Sequence, residues 1–246
     1  MKILSLILIT VTALAGCSKK GTDNTVPITV NMNNKDTTTR AAVDSLHYLA
    51  LGDSYTIGQS VPSYYSFPYL LAAELTILKY PVVTPPKIIA TTGWTTDDLI
   101  SAISRSGITD KKFDFVTLLI GVNDQYQQQS QDNYRIKFQQ VLNTAINFAS
   151  GNKNRIFVLS IPDWGVTPFG DGRDSTIGPQ IDQFNAINKQ ISTAAGVNYL
   201  DITGISRQAA HDPSLIASDG LHPSPAMYNL WIKQLEPMII NQLKSN

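Results

Sequence analysis

The chain has 246 residues, 43% of them hydrophobic and 15% charged, and its 19 basic and 19 acidic side chains cancel. That apolar content argues against a disordered chain, and a formal net charge of zero argues against a nucleic-acid binder, which needs a surplus of Lys and Arg. A single cysteine argues against a disulfide scaffold and against any Cys-rich metal site.

The first stretch reads as a secretory signal over residues 1–16: Lys2 as the charged start, then Ile3-Leu4-Ser5-Leu6-Ile7-Leu8-Ile9. The run is too short to span a bilayer, which takes roughly 20 apolar residues, and it ends in small side chains. The ending Leu14-Ala15-Gly16-Cys17 resembles the lipobox of bacterial lipoproteins. That resemblance implies cleavage before Cys17, acylation of Cys17 and anchoring to a membrane at the cell envelope. Several acyl chains on one residue pass the two-signal requirement for stable attachment. Residues 17–44 are rich in Lys, Thr, Asn and Asp without a period of 2 or 3.6, and read as a flexible tether. The remaining segment, 45–246, is long enough for one domain with a proper core.

Within it, strand-like runs at His47–Leu51, Lys87–Ala90, Phe115–Ile120, Arg155–Ser160 and Val197–Ile202 alternate with helical patterns. The helices are expected at Phe67–Lys79, Thr96–Arg105, Asn133–Ala149, Gln180–Ala195 and Pro225–Leu243. Nearly continuous apolar strands such as Val116–Ile120 are buried on both faces and therefore parallel. The alternation predicts an α/β fold, a single three-layer α/β/α sandwich on a five-stranded parallel sheet. Sites in such sheets lie at the carboxyl ends of the strands.

Polar motifs follow the strands: Gly52-Asp53-Ser54-Tyr55, then Thr91-Thr92-Gly93-Trp94, then Gly121-Val122-Asn123-Asp124. The last, Asp219-Gly220-Leu221-His222-Pro223, precedes the final helix. In this order the four motifs resemble the SGNH hydrolases, or GDSL esterases, a superfamily of serine esterases and acyl hydrolases with a flavodoxin-like sheet. Tyr55 departs from the usual Leu of that family, which bears on pocket shape.

The resemblance implies a nucleophile, Ser54, a general base, His222, and an orienting carboxylate, Asp219, three residues upstream of the base. It also implies an oxyanion hole from the Ser54 and Gly93 N–H groups and the Asn123 side chain. Imidazole, with an ordinary pKa near ~6.5, suits the exchange of a proton near neutrality. On the residues alone, Ser54 is equally a turn or cap serine, Gly93 a loop glycine and Asn123 a turn residue. His211, in a polar loop before Asp212-Pro213, is the rival base, whereas His47 precedes the first strand and lies away from the rim. Asp53 and Asp124 read as structural carboxylates. No metal or other cofactor is implied.

Substrate is less legible. Tyr55, Trp94, Tyr126 and Trp164 are the candidate pocket residues, and the Gly/Pro/Asp-rich loop Pro162–Gly178 is long enough to wall them in. Aromatic walls suit sugar rings and acyl chains alike. The expected partner is therefore a small-molecule, glycan or lipid ester, met by a monomeric, lipid-anchored esterase acting through an acyl-enzyme. The alternatives are an acyltransferase on the same residues and an inactive sugar- or lipid-binding lipoprotein.

Overall fold

A computed structural model of the chain describes residues 44–244. The signal, Cys17 and tether expectations lie outside the described residues, apart from Asp44.

Five strands form one sheet: β1 (Tyr48–Gly52), β2 (Lys87–Ala90), β3 (Phe115–Leu119), β4 (Ile156–Leu159) and β5 (Asn198–Leu200). All neighbours are parallel, in the order β2-β1-β3-β4-β5. The three central strands are buried at every position, which is why they read as unbroken apolar runs. The edge strands are short and partly exposed: β5 covers only the middle of the expected Val197–Ile202. Short, partly polar edges are the usual protection against pairing with another chain.

Helices cover both faces. In chain order they are α1 (Ser54–Ile57), α2 (Phe67–Ile77), α3 (Thr96–Arg105), α4 (Val122–Tyr126), α5 (Gln131–Phe148), α6 (Asp174–Ala195), α7 (Thr203–Ser206) and α8 (Pro225–Lys244). α2 packs on α8, where Phe67 meets Tyr228 and Trp231, and α5 packs against both α3 and α6. Local chemistry sets the helix starts. Thr95 and Asp98 close a reciprocal capping box on α3, and the Ser130 hydroxyl accepts from the Asn133 N–H to start α5.

α6 begins six residues earlier than expected and runs through Pro179. Gly178-Pro179 is locally a helix breaker. Here Ile177 is buried and Gly178 backs directly onto the Asp163 carboxylate, so packing holds the first turns helical against propensity. The Pro162–Gly178 loop is correspondingly shorter, and two 3₁₀ turns, at Trp164–Val166 and Pro168–Gly170, occupy much of it.

Among the described residues no helix is long and apolar enough to cross a membrane.

Candidate active site

The site is assembled at the carboxyl ends of the strands. β1 ends at Gly52, and the chain turns at once into α1, with Ser54 as its first residue. The turn is possible because Gly52 lacks a side chain. A Cβ there would lie 2.1 Å from Thr56 Oγ1 and 2.4 Å from the Leu119 carbonyl oxygen. The Asp53 carboxylate takes the Tyr55 N–H at 3.0 Å, leaving the Ser54 N–H, an orphan donor by its place at the helix start, without that cap.

Gly93 follows β2 with φ +83°, a left-handed backbone that favours glycine, and a Cβ there would meet nothing within 4 Å. Its loop is tied to the next one: Asn123, on α4 after β3, donates through Nδ2 to the Trp94 carbonyl at 2.9 Å. That bond uses one of the two amide hydrogens and fixes the direction of the other. Asp124 braces the same junction from below, accepting from the Thr96 N–H at 3.0 Å and the Thr96 hydroxyl at 2.6 Å.

His222 lies on the loop leading into α8. Its carbonyl takes the Ala217 N–H at 2.8 Å, and Ile216 bridges Pro223 on the other side, so the loop is pinned as a short hairpin. His222 Nδ1 lies 2.6 Å from Asp219 Oδ2. Burial pushes the Asp219 carboxyl up, but hydrogen bonds from Ser60, the His222 ring, and the His222 and Leu221 N–H groups outweigh it. The carboxyl is held well below its ordinary pKa. Below the imidazole lies the Tyr55 ring, 5.4 Å away between centroids, and the Tyr55 carbonyl accepts from the Tyr228 hydroxyl of α8 at 3.0 Å.

Asp53 behaves oppositely. It is 0% exposed, and its Oδ2 has no hydrogen-bond partner. Burial, with a smaller push from the nearby Asp124, raises its pKa to about 8, against backbone hydrogen bonds led by the Tyr55 N–H. Burial likewise raises the pKa of Asp124, against its bonds from Thr96.

Ser54, Gly93, Asn123 and His222 line one cavity of about 170 Å³, together with Tyr55, Thr92, Val122, Tyr126, Trp164, Phe169 and Leu221. No hydrogen bond joins Ser54 Oγ to the imidazole in this structure; such bonds commonly tighten only with substrate in place. The mouth is aromatic. Tyr126 stands edge-on to Trp164 at 5.5 Å, Phe169 packs on Trp164 at 5.8 Å, and the Arg173 guanidinium covers Trp164 at 5.3 Å. The Trp164 indole donates to Gln125 at 2.8 Å, which holds the ring upright.

Of the residues expected from sequence, Tyr55, Tyr126 and Trp164 line the cavity and Trp94 does not. Trp94 instead packs partly against the core, and only its carbonyl serves the site, as the acceptor that orients Asn123. His211 is exposed beyond α7 and is not among the lining residues. His47 is exposed at the amino end of β1, its N–H on Asp114 Oδ2 at 2.7 Å. Sequence reading missed Phe169, Thr92 and Ser60. Phe169 lay inside the loop already marked as a wall, Thr92 stood in the quoted Gly93 motif without being singled out, and Ser60 carries no motif. Among the described residues no group of three or more His, Cys, Asp or Glu side chains is placed to hold a metal.

Comparisons with known proteins bear on the family and the fold. The profile of the GDSL-like Lipase/Acylhydrolase family matches residues 50–230. No curated protein matches the chain. Solved structures with the same fold include TesA, 15% identical with TM-score 0.61, covering 80% of this chain and 99% of that one. They include the psychrotrophic esterase EstA from Pseudoalteromonas sp., 14% identical with TM-score 0.61 over 82% and 100% of the two chains. A third is an acetylxylan esterase from Geobacillus stearothermophilus, 18% identical with TM-score 0.60 over 83% and 97%. The family profile spans all four polar motifs and most of the chain, so this protein belongs to the GDSL-like lipase/acylhydrolase family, among the carboxylic ester hydrolases.

Proposed function

We propose that the protein is a serine esterase that cleaves short-chain carboxylic esters through an acyl-enzyme, anchored at the cell envelope by a lipid attached at Cys17. The observation that carries the catalytic part is the meeting of Ser54, Gly93, Asn123 and His222 in one cavity, with Asp219 on the imidazole.

In this reading Ser54 Oγ attacks the ester carbonyl carbon while its proton passes to His222 Nε2. Asp219, bonded to Nδ1, fixes the tautomer and stabilises the imidazolium. The carbonyl oxygen takes the negative charge and receives the Ser54 N–H, the Gly93 N–H and the second hydrogen of Asn123 Nδ2. Collapse breaks the ester C–O bond, and His222 returns its proton to the departing alcohol. A water molecule then attacks the acyl-enzyme by the same route, freeing the acid and Ser54.

Size supports the substrate class. A cavity near 170 Å³ is well below the ~300–1,000 Å³ of sites that engulf a drug-sized ligand. It suits an acetyl-to-butyryl group held inside, with the alcohol part resting on exposed Tyr126 and Phe169, 52% and 44% accessible. An acetylxylan esterase of this fold is consistent with such a division.

A p-nitrophenyl ester series from acetate to decanoate tests both points. Turnover is expected to fall steeply beyond butyrate. Ser54→Ala should abolish turnover, and Asn123→Ala should lower kcat by roughly 10²–10³, as for loss of one oxyanion donor. Undiminished turnover in folded Ser54→Ala overturns the serine mechanism, and a preference for decanoate overturns the short-chain assignment.

A further inference from the structure

Two residues just beyond the Gly58 cap of α1 make contacts that no motif foretells. Gln59 and Ser60 continue from the helix bearing Ser54, Gly58 having turned the chain with φ +76°. Ser60 itself stands at φ +67°, a left-handed conformation costly for a residue with a Cβ. In that conformation its hydroxyl donates to Asp219 Oδ2 at 2.6 Å, across 159 residues of sequence.

Asp219 has four donors, two on each oxygen. Oδ1 takes the Leu221 and His222 N–H groups, and Oδ2 takes His222 Nδ1 and the Ser60 hydroxyl. Three of the four belong to the loop of Asp219 itself. Ser60 is the one that comes from the nucleophile's segment. Without it Asp219 would have no hydrogen bond from the Ser54 segment, and the registration of that loop would rest on the Tyr55–His222 packing and the Tyr228–Tyr55 bond. One residue earlier, Gln59 Oε1 accepts from the Thr92 hydroxyl at 2.6 Å, beside Gly93. Neighbouring side chains thus reach in two directions, one to the acid–base loop and one to the oxyanion loop.

We infer that Gln59 and Ser60 form a positioning clasp that holds the Asp219–His222 loop and the Gly93 loop in register with Ser54. Neither residue lines the cavity, so both act through the groups they hold. The clasp rests on the serine-esterase reading above, and it makes a separate demand: its effect must run through Asp219 and Thr92.

Ser60→Gly is the informative variant. Glycine accepts the left-handed backbone at no cost, so the fold is kept while the hydroxyl is lost. With p-nitrophenyl acetate, kcat is expected to fall about three- to tenfold, the scale of one hydrogen bond, with KM within twofold of the parent. In an Asp219→Asn background the same change should cost less than twofold, because the group it positions is already disabled. Gln59→Ala should behave likewise, and its loss should vanish in a Thr92→Val background. Full kcat in either Ser60→Gly or Gln59→Ala overturns the clasp, as does an equal loss in both backgrounds of either cycle. If Asp219→Asn and Ser54→Ala alone leave kcat unchanged, the esterase assignment itself has failed, a result the cycles do not mimic.

Discussion

Asp53 precedes Ser54, the proposed nucleophile, and is fully buried, with one oxygen unpartnered. An acid held near a pKa of about 8 is mostly protonated at pH 7, so in the proposed mechanism Asp53 adds little negative charge beside Ser54. Neutrality has a cost that depends on pH. Between the ordinary value of 3.8 and about 8, the folded chain retains a proton that the unfolded chain has released. Stability therefore falls as pH rises through that window, by up to ~1.4 kcal/mol per unit. Asp53→Asn cannot ionise, keeps an oxygen for the Tyr55 N–H, and should remove this slope. Urea unfolding at pH 5, 6, 7 and 8 should show the stability difference moving steadily in favour of the variant. A difference independent of pH would mean an ordinary carboxylate at this position. Asp219 has the opposite sign: its depressed pKa adds stability above the ordinary carboxylate range, and this is lost only in strong acid.

At the scale of elements, the strand-to-helix turn at β1–α1 is the most demanding piece of backbone. Gly52→Ala would drive a methyl group into Thr56 Oγ1 and the Leu119 carbonyl, and the second is β3 backbone that cannot swing aside. The expected loss is roughly 1–3 kcal/mol of stability, with a larger fall in turnover because Ser54 is displaced. Thermal unfolding read beside acetate hydrolysis checks both, and an unaltered melting temperature would show that the turn relaxes freely. This turn, like Gly93 and Asn123, was legible in the sequence because short motifs encode local geometry. The central strands were legible because burial on both faces leaves an unbroken apolar run. The early start of α6 was not, since Gly178-Pro179 obeys a partner, Asp163, that is distant in sequence. Trp94 misled for a related reason: an aromatic residue beside Gly93 suggests a wall, while its side chain turns to the core and only its backbone serves Asn123. Ser60 was illegible because its whole value lies in Asp219, most of a domain away.

At the scale of the whole molecule, the Cys17 reading predicts where the enzyme acts. An anchored esterase meets its esters at the envelope surface, and its reach is the length of the 17–44 segment. Cells expressing the full chain should incorporate radiolabelled palmitate into it, and Cys17→Ser should lose the label and release the protein from the membrane fraction. Absence of label in the unaltered chain would overturn the anchor while leaving the catalytic assignments intact.

The packing of α8 has a consequence in time. Its Tyr228 hydroxyl closes on the Tyr55 carbonyl across 173 residues, and the loop entering this helix brings His222 into the cavity that Ser54 lines. A ribosome delivers Ser54 well before His222, and all five described strands are made before that imidazole exists. If the proposed mechanism holds, hydrolysis waits until α8 has docked and carried His222 into the cavity with Ser54. In refolding, the return of activity should lag behind the recovery of sheet and helix signals, so that turnover dates the final closure of the chain.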